Sequence, residues 1–114
     1  MNQQDLVWVK FPFSNLEESK IRPAIIISNN SYNEVKRDVL ICAITSNLYS
    51  EKYSLIIDNK NLLGGDLKIK SKIRGDKILL INKKLIIKSF GKLNNETFDN
   101  LIKEVISLIN RNDN

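Results

Sequence analysis

The sequence predicts a mainly β domain, a small barrel with one α-helix docked at its C-terminal end. Short runs rich in β-branched and aromatic residues recur through residues 6–89, separated by polar or glycine-containing breaks. Near the end the apolar spacing switches to three and four residues, the period of a helix. No linker or internal repeat divides the 114 residues, so 1–114 reads as a single domain, long enough to bury roughly two-thirds of its unfolded surface.

Each element has its own local reason. Leu6-Val7-Trp8-Val9-Lys10-Phe11 is a strand ending at Pro12, and the polar stretch from Ser14 to Lys20 is an exposed loop. Ala24-Ile25-Ile26-Ile27-Ser28 is a second strand, a polar connection surrounds Asn29-Asn30-Ser31, and Val39-Leu40-Ile41-Cys42-Ala43-Ile44 is a third strand. Tyr53-Ser54-Leu55-Ile56-Ile57 leads to a turn at Gly64-Gly65. Residues 70–74, 77–81 and 85–89 complete the strands, the last two joined by a turn near Asn82-Lys83. Only the end reads as helical: Phe98, Leu101, Ile102, Val105, Ile106 and Ile109 share one face, with Asn94 or Asn95 as cap and Glu96 and Asp99 in the first turn. Ile25-Ile26-Ile27 and Ile78-Leu79-Leu80-Ile81 are apolar at consecutive positions, which calls for cover on both faces and, in so small a domain, for a second subunit: a homodimer.

Composition narrows the chemistry. The net charge of +5 favours a polyanionic partner. There is no histidine, which removes His-based metal sites, Ser-His-Asp and Cys-His nucleophiles, and paired-histidine RNA cleavage. The one cysteine, Cys42, lies in an apolar run and reads as a buried small hydrophobe in a reducing compartment. No cofactor is implied. With no signal-like N-terminus and no apolar stretch of membrane-spanning length, a cytoplasmic protein without membrane association is expected.

Four constellations remain, each with two readings. Arg22, next to Pro23 at the opening of a strand, is either a solvated charge or a two-pronged phosphate donor. Thr45 and Ser46 close a strand, as turn-formers or as hydroxyls able to donate to a phosphate oxygen. Arg74 and Asp76 share a strand face, as a surface ion pair or an acid–base pair, with Gly75 permitting close approach of a ligand backbone. Lys68, Lys70 and Lys72 alternate along one face if that segment is extended, as a protected edge strand or as a track for an RNA backbone.

Taken in order, these motifs resemble MazF/PemK-type toxins of type II toxin–antitoxin systems. The resemblance runs from residue 5 to about 106: the segment Asp5 to Ser14, Arg22-Pro23 before the apolar strand that ends in Ser28, Ile44-Thr45-Ser46, the approach from Leu67 to Ser71, Asp76-Lys77-Ile78, and Gly91-Lys92-Leu93 before the helix. It implies an SH3-like, partly open barrel that dimerises and cuts single-stranded RNA in a groove near the interface. A cognate acidic antitoxin would block that groove. Position by position, Arg22 and Thr45 match the principal catalytic pair, and Arg74 and Asp76 match an Arg-x-Asp used as acid and base in the PemK/Kid branch. Ser46 matches a residue lining the RNA site, and Lys20, Pro23, Ser71 and Lys72 are expected to contact RNA. Some members carry a loop histidine; here that role is vacant, or taken by Lys20 or Arg22. The implied chemistry is metal-independent attack by the RNA 2′-hydroxyl, giving 2′,3′-cyclic phosphate and 5′-hydroxyl ends. Two alternatives stay open: a non-catalytic toxin of the same fold, as in the gyrase-poisoning CcdB type, and a basic SH3-like nucleic-acid-binding module without catalysis.

Overall fold

The computed structural model describes residues 1–11, 20–49 and 52–112. Its strands are β1 (Asp5–Phe11), β2 (Lys20–Ile26), β3 (Asp38–Thr45), β4 (Ser54–Ile57), β5 (Leu62–Gly65), β6 (Ser71–Asn82) and β7 (Ile86–Leu93). The helices are α1 (Asn30–Val35) and α2 (Asn95–Ile109). Residues 12–19, which include Pro12 and most of the expected polar loop, lie outside the described residues. The strands form one curled half-barrel sheet in the order β4-β6-β3-β2-β1-β7-β5, every neighbouring pair antiparallel.

Alternation along the strands divides the interior in two. Leu6, Ile25 and Cys42 point into a core that α2 seals with Phe98 and Leu101. Val7, Ala24, Ile26 and Ile41 point the other way, into a second core closed by Ile81 and Ile86. The run Ile25-Ile26-Ile27 is therefore covered on both faces by its own chain, and gives no reason for a second subunit. In the run 78–81, Ile81 is buried and Leu80 stays 54% exposed, so that part of the argument persists. Asn94 caps α2 through its side-chain oxygen, which accepts the Thr97 N–H at 2.8 Å.

Three local expectations need correction. The polar connection after β2 holds a short helix, because Asn29 acts as an N-cap, accepting the Tyr32 N–H at 2.9 Å. Gly64 and Gly65 belong to the edge strand β5 instead of a turn. Gly65 has φ +91°, and a Cβ there would stand 2.2 Å from the Phe90 carbonyl oxygen, so glycine serves the close approach of β5 to β7. Finally, the expected strands 70–74 and 77–81 are one long strand, β6, which begins at Ser71 and leaves Lys70 outside it, with an irregularity between its halves. No described helix is long and apolar enough to cross a membrane.

Candidate nucleic-acid interface

The groove begins with a missing donor. The β2–β3 ladder pairs Ile26 with Ile41, Ile25 with Cys42 and Ala24 with Ala43, and ends there. The next residue of β2 is Pro23, which has no N–H to offer. Continued past this point, the register sets Pro23 against Ile44 and Arg22 against Thr45. The two strands part instead, and a groove of about 470 Å³ lies between them, with Arg22 and Pro23 on one side and Ile44 and Thr45 on the other.

The floor and far wall come from β6. Thr45 pairs with Lys72 and Ile44 with Ile73, but Cys42 pairs with Ile78, so Arg74, Gly75, Asp76 and Lys77 bulge out of the ladder. The bulge is pinned by the Gly75 N–H, which donates to the Tyr53 carbonyl at 2.8 Å. Tyr53 holds φ +65°, a strained value for a tyrosine, and a Cβ on Gly75 would come within 2.6 Å of its carbonyl oxygen. Gly75 thus admits a neighbouring stretch of the same chain, where the sequence suggested a ligand backbone. Arg74 and Lys77 are carried into the groove wall, beside Asn47 and over an apolar lining that includes Phe11, Ala43 and Leu79.

Four cations, Arg22, Lys72, Arg74 and Lys77, line this groove, and among the described residues no carboxylate does. Arg22 is exposed. Lys72 is only 2% exposed, and its ammonium donates to the Tyr49 carbonyl at 2.7 Å. The Thr45 hydroxyl oxygen accepts the Asn47 N–H at 3.1 Å, leaving its own proton to be donated. Arg74 grips Asp76 with two hydrogen bonds, Nε to Oδ1 at 3.0 Å and Nη2 to Oδ2 at 2.8 Å. That grip holds the Asp76 carboxyl below the ordinary carboxylate range, against a smaller opposing effect of burial. Behind the groove, burial and the nearby Asp76 charge push the Cys42 thiol up to about 12, so it is an inert core group.

Of the residues singled out from sequence, Arg22, Pro23, Thr45, Lys72 and Arg74 meet in the groove. Asp76 is tied to it through Arg74 but is not among the lining residues. Lys20 and Ser46 are exposed and outside the lining. Ser71 is buried, and its hydroxyl donates to the Ile69 carbonyl at 2.8 Å, which removes it from the groove. The lysine row does not form either: Lys68 and Lys70 precede β6, and Lys72 alone enters the sheet. Sequence reasoning passed over Asn47 and Lys77, although each lies within two residues of a chosen position. Among the described residues no three His, Cys, Asp or Glu side chains converge as metal ligands would.

Comparison with known proteins agrees with this architecture. The structure is similar to the MazE–MazF complex (form III) of Deinococcus radiodurans, with a TM-score of 0.79 at 15% identity, over 96% of this chain and 95% of that one. It is similar to the Mycobacterium tuberculosis toxin MazF-mt6, with a TM-score of 0.74 at 16% identity, over 90% and 93%. A third similar structure is an endoribonuclease in complex with its cognate antitoxin from Mycobacterial species, with a TM-score of 0.73 at 14% identity, over 94% and 92%. No curated protein sequence matches the chain. The model of the PemK-like, MazF-like toxins matches residues 2–109. A splayed strand pair, a cationic groove and a C-terminal helix thus stand in a chain that belongs to the PemK-like, MazF-like toxin family of type II toxin–antitoxin systems.

Proposed function

We propose that this protein is an endoribonuclease toxin that cleaves single-stranded RNA without a metal, and that a cognate acidic antitoxin silences it by filling the same groove. Toxins of this family are generally endoribonucleases. One observation carries the reading for this chain: four cations and an oriented threonine hydroxyl line one groove, and no described carboxylate lines it. Such a groove suits a phosphodiester backbone, and its charge suits an acidic protein partner.

RNA supplies its own nucleophile, so the protein needs no activated serine, cysteine or metal-bound water. The 2′-oxygen attacks phosphorus while the bond to the 5′-oxygen breaks, leaving a 2′,3′-cyclic phosphate and a 5′-hydroxyl. Arg22 stabilises the developing negative charge on the phosphoryl oxygens with parallel N–H donors, and Thr45 adds one oriented hydroxyl. Arg74 turns from Asp76 towards the phosphate when RNA enters. That movement frees a carboxylate oxygen of Asp76 to accept the 2′-hydroxyl proton, and the leaving 5′-oxygen takes its proton from solvent beside the Arg74 N–H groups. A homodimer is part of this reading, supported by apolar surface at Leu80 and, on α2, at Ile106 and Ile109.

Purified protein incubated with a long RNA in excess EDTA tests the reading. Cleavage at a small set of sites, stopped by an equimolar cognate antitoxin, is the expected result. Intact RNA, or cleavage that needs an added metal, contradicts it.

A further inference from the structure

The turn that follows β3 is held more tightly than its exposure requires. The Asn47 N–H donates to the Thr45 hydroxyl oxygen at 3.1 Å, and the Tyr49 N–H donates to the Asn47 side-chain oxygen at 3.1 Å. The Tyr49 carbonyl then accepts the Lys72 ammonium at 2.7 Å. Lys72 is itself buried, and it is the ladder partner of Thr45. Both main-chain groups of Tyr49 are therefore fixed, through residues that line the groove, while Tyr49 itself is 77% exposed. An aromatic ring held out in water gains nothing for the core. A ring whose backbone is already immobilised loses little entropy when a flat ligand covers it.

We infer that Tyr49 is an RNA-positioning residue that stacks on a base of single-stranded RNA next to the scissile phosphate; this rests on the endoribonuclease reading of the groove. The short chain of hydrogen bonds from Thr45 through Asn47 to Tyr49 sets the ring at a defined place relative to the hydroxyl that meets the phosphate. A base held there fixes which phosphodiester lies between Arg22 and Thr45. Stacking tolerates any base face, so the ring supplies affinity and register, and neighbouring polar groups choose the base.

The test uses a short RNA carrying the mapped cleavage site, made uncleavable by a single 2′-deoxy ribose. 2-Aminopurine is placed in turn at each nucleotide flanking that ribose. Wild-type protein should quench the fluorophore at one of these positions, and Tyr49→Phe, which keeps the ring, should quench it equally. Tyr49→Ala should lose the quenching and bind about 10- to 100-fold more weakly, the worth of one base–aromatic stack. On cleavable RNA its KM should rise by the same factor with kcat at saturation kept within a few-fold, and its melting temperature should be unchanged. A Tyr49→Ala protein that quenches, binds and cleaves as wild type overturns the inference and leaves the endoribonuclease reading intact. A wild-type protein that leaves every RNA uncut removes both.

Discussion

Gly75→Ala should disable the protein through a single methyl group. In the structure, a Cβ on Gly75 lies 2.6 Å from the Tyr53 carbonyl oxygen and 3.5 Å from Val105 Cγ2. The first neighbour is main chain and cannot rotate away. Relief requires β4 and the bulge of β6 to separate by roughly 0.5–1 Å, and the 2.8 Å hydrogen bond from the Gly75 N–H to the same carbonyl is lost or stretched. Overpacking costs about 1–3 kcal/mol and the unmade hydrogen bond about 1 kcal/mol more, so the variant should be destabilised by about 2–4 kcal/mol. For a domain of this size that lowers the melting temperature by on the order of 10 °C. Arg74 and Lys77 ride on the same bulge, and a displacement near 1 Å in groups that position a substrate costs on the order of 100-fold in rate. Thermal melting read beside single-turnover RNA cleavage, well below the new midpoint, separates the two effects. A Gly75→Ala protein with unchanged melting and wild-type cleavage would refute the idea that this close approach builds the groove wall.

Arg22→Ala should lose about 100- to 1,000-fold in single-turnover cleavage with no change in melting, because the side chain is exposed; Arg22→Lys should fail similarly, for want of a planar two-pronged donor. Thr45→Val should show a smaller rate defect of the same kind. Asp76→Asn should abolish cleavage yet cost less than about 1 kcal/mol of stability, since the Arg74 and Asp76 side chains are 35% and 31% exposed and water screens their pairing. The Asp76 carboxyl is held below its unfolded value near ~3.9, so its stabilisation is complete above that pH and disappears as pH falls through the lower folded value. Denaturant midpoints of wild type and Asp76→Asn should accordingly converge below about pH 4; a gap that stays constant from neutral to acid pH contradicts the pairing. Cys42 should resist thiol reagents at pH 8 until the protein unfolds, because its thiol is pushed up to about 12; rapid native labelling would contradict that burial.

Much of the fold was legible because its signals are local. The helical repeat from Phe98 to Ile109 and the β-branched runs each commit a segment without reference to distant residues. Pro23 was read as the opening of a strand, but β2 begins at Lys20 and Pro23 stands inside it, paired with Trp8 on the β1 side; its larger consequence was not legible. That a missing N–H ends the β2–β3 ladder and opens a groove depends on which strands become neighbours. Arg74 and Asp76 two apart correctly suggested a shared face, and they do form a bidentate pair. The bulge that brings Lys77 to the groove comes from a register shift against β3, which no spacing within β6 announces. The lysine row failed for the complementary reason: alternation counts only inside a strand, and β6 begins at Ser71, after Lys68 and Lys70. Burial was the least legible property. Ser71 and Lys72 look like solvated surface in sequence, yet the hydroxyl of one and the ammonium of the other are committed to main-chain carbonyls inside the protein.

If the groove cuts RNA through the RNA's own 2′-hydroxyl, one chimeric substrate must escape it. An RNA carrying the mapped site is compared with the same molecule bearing a single 2′-deoxy ribose 5′ to the cleaved bond, both in excess EDTA. The all-ribose RNA should be cleaved to a 2′,3′-cyclic phosphate and a 5′-hydroxyl, and the chimera should bind without being cleaved. Cleavage of the chimera at the same bond, or products ending in 5′-phosphate, would mean that water or a protein group attacks the phosphorus, and would contradict the roles given to Arg22, Thr45 and Asp76.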